Sequence, residues 1–240
     1  GTIVPSDPGA DRDPRVGRAV GRRMTAGVVL LAALQAAPLD QGVLAVRRDS
    51  VEVARESFRL QGSRLSSGAS GWIVTTTSQY GADLALSAIV EVGPDSLALF
   101  LQYDVQHPSR PYRVLGRSAA GRMVLRHVSP RSERARELPT GPALVILDDS
   151  LFATYAVAAW FAGQAPQAVT AVYPRAGRRE TLTIRDEGET HTMVNGDVAT
   201  ARHVVLSGGV DGPAHIWVSR DGRLLKVELP AHGVSAERQP

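Results

Sequence analysis

The 240-residue chain is 43% hydrophobic and 21% charged, a globular balance that excludes a disordered polyampholyte. Its formal net charge is +3, and beyond residue 36 the basic and acidic side chains differ by one, which leaves no broad electrostatic footprint for a nucleic acid. Cysteine is absent, so disulfides, thiolate metal sites, a cysteine nucleophile and a lipid-modified N-terminal cysteine are excluded for this sequence.

Residues 15–38 read as an export address. Arg15, Arg18, Arg22 and Arg23 precede Met24, and the uncharged run AGVVLLAAL over 26–34 is too short to anchor in a bilayer. Gln35-Ala36-Ala37-Pro38 offers small residues to a signal peptidase, with cleavage after Ala36 or Ala37. Met24 is a candidate true start, and Arg22-Arg23 also fits twin-arginine export. The alternative to a leader is an amphipathic or buried N-terminal helix. The predicted division is an N-terminal extension and signal peptide over 1–37, followed by a single β-rich domain over 38–240. That domain is expected in the periplasm or outside the cell, with no stable transmembrane anchor after cleavage.

From Gln41 onward, short apolar or alternating runs are punctuated by turn residues. Trp72–Tyr80, rich in β-branched and aromatic side chains, predicts a strand. Leu84–Val92 and Leu97–Val105 flank Gly93-Pro94-Asp95-Ser96 as a hairpin, and Tyr112–Arg117 and Arg122–Val128 flank Ser118-Ala119-Ala120-Gly121 as another. Arg131, Arg134 and Arg136 interleave with Glu133 and Glu137, a pattern read as a solvated loop or edge strand.

Ser150–Gly163 breaks the pattern. Its apolar residues recur at near-helical spacing without charge or proline, and Asp148, Asp149 or Ser150 is positioned to cap its start. A helix apolar nearly all round must be covered by other elements. In the last third, Thr181–Asp186 and Glu189–Val194 straddle Glu187-Gly188. Asn195-Gly196, the favoured type I′ pair, leads to Val198–Leu206. Ala214–Ser219 and Leu224–Leu229 are joined through Asp221-Gly222. The predicted fold class is mainly β (α+β), a curved antiparallel meander or half-barrel packed on one apolar helix.

Candidate chemistry is sparse. Asp148-Asp149-Ser150 holds two adjacent acids, but helix capping and the helix dipole account for both. His191, His203 and His215 recur every 12 residues. A two-residue turn at Asn195-Gly196 sets His191 opposite Thr200 and leaves His203 on the other face, with His215 expected to share the face of His191. Two converging histidines do not make a metal site, and none is expected. G-x-S-x-G, P-loop and G-x-G-x-x-G patterns are absent, so no cofactor is expected.

His215–Val227, a tryptophan strand followed by an Asp-Gly turn and a leucine-rich strand, resembles a motif near the C-terminus of uncharacterised bacterial envelope domains. Leu147–Phe152 resembles their acidic-capped central helix. Those families are similar to periplasmic lipoprotein-carrier half-barrels, in which a sheet wraps a helix and shelters acyl chains. The resemblance covers about a fifth of the chain and brings no catalytic residues. It supports the fold more than an activity. The leading expectation, from the concave sheet over an apolar helix, is an exported envelope protein that binds a lipid or acyl chain there, with Phe152, Tyr155, Trp160 and Trp217 as lining residues or, in the alternative, as plain core. The alternatives are a structural or assembly protein of the envelope with a protein partner, and a hydrolase with a non-motif site drawn from Asp148, Asp149, His191 and His215.

Overall fold

The computed structural model describes residues 39–240 apart from Ser96 and Pro142; the expected leader and cleavage site lie outside the described residues. The chain opens with β1 (Asp40–Arg48), β2 (Val51–Arg64), β3 (Ser70–Tyr80), β4 (Leu84–Val92) and β5 (Ala98–Gln106). β6 (Tyr112–Ala119), β7 (Arg122–Ser129), β8 (Ser132–Pro139) and the short β9 (Leu144–Ile146) follow. After the helix α1 (Tyr155–Trp160) come β10 (Gln167–Tyr173), β11 (Arg178–Val194), β12 (Asp197–Ser207), β13 (Ala214–Val218), β14 (Leu224–Leu229) and β15 (Val234–Arg238).

All fifteen strands belong to one sheet in the order β8-β7-β6-β5-β4-β3-β2-β1-β15-β14-β13-β12-β11-β10-β9. Two meanders are thus joined where β1 pairs with β15, Leu44 opposite Arg238 and Val46 opposite Ala236. The two edge strands, β8 and β9, are consecutive in the chain, so the sheet curls back towards itself without a closing ladder. β9 and β10 pair in parallel, which demands a crossover, and that crossover carries α1. The curved antiparallel sheet over one apolar helix is therefore the observed fold. Among the described residues, no helix is long and apolar enough to cross a membrane.

Period-two alternation decides which side chains face inward. On β2 these are Ala54, Glu56, Phe58 and Leu60; on β3, Val74, Thr76 and Ser78; on β12 and β13, Val204, Leu206 and Ile216. Leu147, Leu151 and Phe152 of the crossover are buried against them, each contributing about 1.5–3 kcal/mol of hydrophobic stabilisation.

Two local expectations need correction. Glu187-Gly188 is not a turn. β11 runs through it as one 17-residue strand, and the register shift between Asp186 and Gly188 together with Gly188 at φ +90° marks a bulge. The helix is also far shorter than Ser150–Gly163. It begins at Tyr155, with Thr154 at the N-cap making no side-chain capping bond, because Asp148, Asp149 and Ser150 are engaged elsewhere.

The packing makes one glycine obligatory. A Cβ at Gly71 would strike the Val92 carbonyl oxygen of the neighbouring strand and lie 2.6 Å from Leu65 Cδ1. Gly71→Ala is expected to cost about 2 kcal/mol and to lower the melting temperature by roughly 4–8 °C. Gly62→Ala, where nothing lies within 4 Å, should leave thermal unfolding unchanged in the same assay.

Candidate functional site

The crossover does not run over the surface: Leu147, Asp148 and Leu151–Ala159 are buried inside the curl of the sheet. Buried irregular backbone must find hydrogen-bond partners off its own segment, and strand side chains supply them. Glu56, fully buried on β2, accepts from the amides of Phe152 (2.7 Å) and Ala153 (2.9 Å) and from the Thr76 hydroxyl (2.6 Å). Tyr80 donates its hydroxyl to the Ser150 carbonyl at 2.8 Å, and Tyr155 donates to the Asp148 carbonyl at 3.1 Å.

Asp148 is the second anchor. Its carboxylate accepts from Arg175 Nε (2.9 Å) and a terminal Arg175 nitrogen (3.0 Å), from the Tyr103 hydroxyl (3.1 Å) and from the Ser150 amide (2.8 Å). Arg175 also reaches Asp149 and Ser150 Oγ. Burial pushes the Glu56 carboxyl up to about 7, against the three donors that favour its charge, and nearby Asp148 adds to the rise. Burial likewise raises the pKa of Asp148 against the pull of Arg175. It opposes the Arg175 charge too, yet Asp148 more than restores it and the guanidinium stays above its ordinary value.

Beside this network lies a cavity of about 310 Å³ between the crossover and the inner face of the C-terminal meander. Its deep wall is apolar, formed by Leu147, Leu182, Leu206, Ala214 and Leu229. Its outer edge is polar, with Asp149, Arg175, Asp211 and His232. The arginines there are already matched: Arg175 by Asp148 and Asp149, Arg178 by Glu180 and Asp211. Glu56 does not line the cavity, and the Asp148 carboxylate is saturated by donors. The two buried acids therefore hold backbone in place, and the cavity offers a small molecule leucines for an apolar part and charged side chains for a polar end.

Of the four expected lining residues, the structure brings only Tyr155 to this cavity. Phe152 is buried in the core, stacked on Tyr155 at 6.2 Å. Trp160 packs edge-on against Trp72 at 5.2 Å. Trp217 lies on the opposite face of the sheet, stacked on His203 at 4.8 Å, because the loop after β12 sets His203 opposite Trp217.

That register also corrects the histidines. His191 does face Thr200, but His215 shares its face with His203, 3.0 Å away, rather than with His191. Asp148 and Asp149 line the inner cavity while His203 and His215 stack outside, so the set proposed for a hydrolase is not assembled. Glu56 was missed in the sequence, although a lone acid between Ala54, Phe58 and Leu60 on an alternating strand is a readable signal of a buried carboxylate.

The sequence matches no protein-family model and no curated protein. Among solved structures, it is similar to a β-barrel-like protein from Brucella abortus carrying the domain of unknown function DUF1849, with a TM-score of 0.52 and 11% identity over 82% of this chain and 94% of that one. A DUF1089 family protein from Pseudomonas aeruginosa aligns with a TM-score of 0.36 and 14% identity over 81% of this chain and 92% of that one. The first likeness speaks to fold alone, and with the curled fifteen-stranded sheet it makes this a β-barrel-like domain.

Proposed function

We propose that this is an exported envelope protein that binds a small apolar group, such as the end of an acyl chain, in the cavity beside the crossover. The observation that carries the reading is the cavity's wall of buried leucines, where the one buried acid, Asp148, is already saturated by donors. About 310 Å³ holds roughly ten water-sized groups, which suits a short acyl segment rather than a whole lipid. The arginine-led apolar run over residues 15–34 supports export. The leucines of the deep wall support the choice of an apolar ligand.

A chain-length series of fatty acids tests this by calorimetry. Each added methylene should tighten binding about fourfold, from roughly 0.8 kcal/mol per buried group, until the cavity is full near ten carbons. Ala214→Phe, which fills the space from its wall, should abolish uptake with the melting temperature nearly unchanged. Uptake that is absent in the parent protein, or indifferent to Ala214→Phe, would overturn the proposal. The assembly-protein reading draws on a different observation, the burial of Phe152 and Tyr155 in a packed interior, and absent uptake would favour it.

A further inference from the structure

We infer that the groove along the open seam of the sheet is a binding site for a ligand bearing more than one phosphoryl group. The groove, of about 900 Å³, lies between the edge hairpin β7–β8 and the turn Arg175–Gly177. It shares only Arg175 and Ala176 with the inner cavity. Arg110, Arg131, Arg134 and Arg136 line it together with Arg175, and no carboxylate does.

The strand sorts charges that the sequence interleaves. On β8, Arg134 and Arg136 fall on the face of buried Leu138, opposite His127 and Leu125 of β7, and so point towards the groove. Glu133 and Glu137 fall on the other face, where they pair with Arg126 and Arg122. The acids that interleave with this stretch in sequence are thus consumed on the far side of the sheet. Arg110, Arg131, Arg134 and Arg136 form no ion pair among the described residues, whereas Arg175 is neutralised by Asp148 and Asp149.

Inward-pointing charge on an edge strand protects it from pairing with another sheet, and Arg134 and Arg136 satisfy that need. It does not account for Arg110, which arrives from the β5–β6 connection, or Arg131, from the β7–β8 turn. Four like charges converging from three segments repel one another unless an anion joins them. Guanidinium forks match tetrahedral oxyanions in bidentate pairs, and side chains two apart on one strand stand about 7 Å from each other, a spacing for separate phosphoryl groups. In the flanking wall, His127 stacks on Tyr112.

The test titrates tripolyphosphate into the protein by calorimetry and, separately, measures co-sedimentation with phosphatidylcholine vesicles with and without cardiolipin, whose headgroup carries two phosphoryl groups. The parent protein should bind one equivalent of tripolyphosphate, or the doped vesicles alone if the groove takes a lipid headgroup. The affinity should fall with added salt. The double variant R134Q/R136Q, at exposed positions, should weaken that binding tenfold or more at an unchanged melting temperature. R64Q, an exposed arginine elsewhere, should not weaken it, and neither should Ala214→Phe. Failure of the parent to bind either probe, or equal losses in R134Q/R136Q and R64Q, would overturn the inference.

Discussion

Glu56→Ala is expected to remove about 4 kcal/mol of stability, measured by urea unfolding. The substitution leaves the Phe152 and Ala153 amides buried without an acceptor, at about 1–3 kcal/mol each, and opens a cavity beside Thr76. Against a total of roughly 5–15 kcal/mol for a domain, that is a large share of the stability and a readily measured fall in the urea midpoint. Glu56→Gln should cost less, because its carbonyl keeps one acceptor in place.

The same residue gives the protein a signed pH dependence. With its carboxyl raised from 4.5 to about 7, the folded state holds a proton that the unfolded state has lost. Its contribution is fully present below about pH 4.5, and it is lost as the pH rises through 7. A difference of that size is worth about 3 kcal/mol. Across that window the parent's urea midpoint should fall with rising pH more steeply than that of Glu56→Gln. Parallel profiles would place the carboxylate outside this account.

Arg175→Ala is the second large effect. It strands the buried Asp148 carboxylate without its bidentate partner, and breaking a buried pair from one side costs about 3–5 kcal/mol. Because the penalty comes from the orphaned charge, the double variant Asp148→Leu/Arg175→Met should regain much of the loss. Additive losses in a double-mutant cycle would instead mean that the two side chains act separately.

Local periodicity and turn chemistry made most of the strands readable. Leu84–Val92 and its partner hairpin strand, and the Asn195-Gly196 turn with Asn195 at φ +51° and Gly196 at φ +86°, follow from alternation and type I′ geometry. Glu187-Gly188 misled because a glycine at positive φ serves a bulge as well as a turn. The helix was overextended because its apolar run contains no local stop signal. What holds residues 148–153 out of the helix is Arg175 and Glu56, both distant in sequence and joined to the segment only by the fold.

The closure between β1 and β15 is equally non-local, and no pattern within either strand announces it. The expectation that Trp217 lines the concave side fails on register. Its actual face depends on the register set by the loop over residues 208–213, where a shift of one residue would have reversed it. The arginines of β8 show the same rule working the other way. Interleaved signs in sequence became two separated faces of charge in the sheet.

The most direct test of the binding proposal is native mass spectrometry of the protein taken from producing cells, followed by extraction of whatever it carries. The predicted result is one small apolar passenger per chain, absent from Ala214→Phe. A clean unliganded mass, with no uptake when short acyl chains are offered, would contradict it.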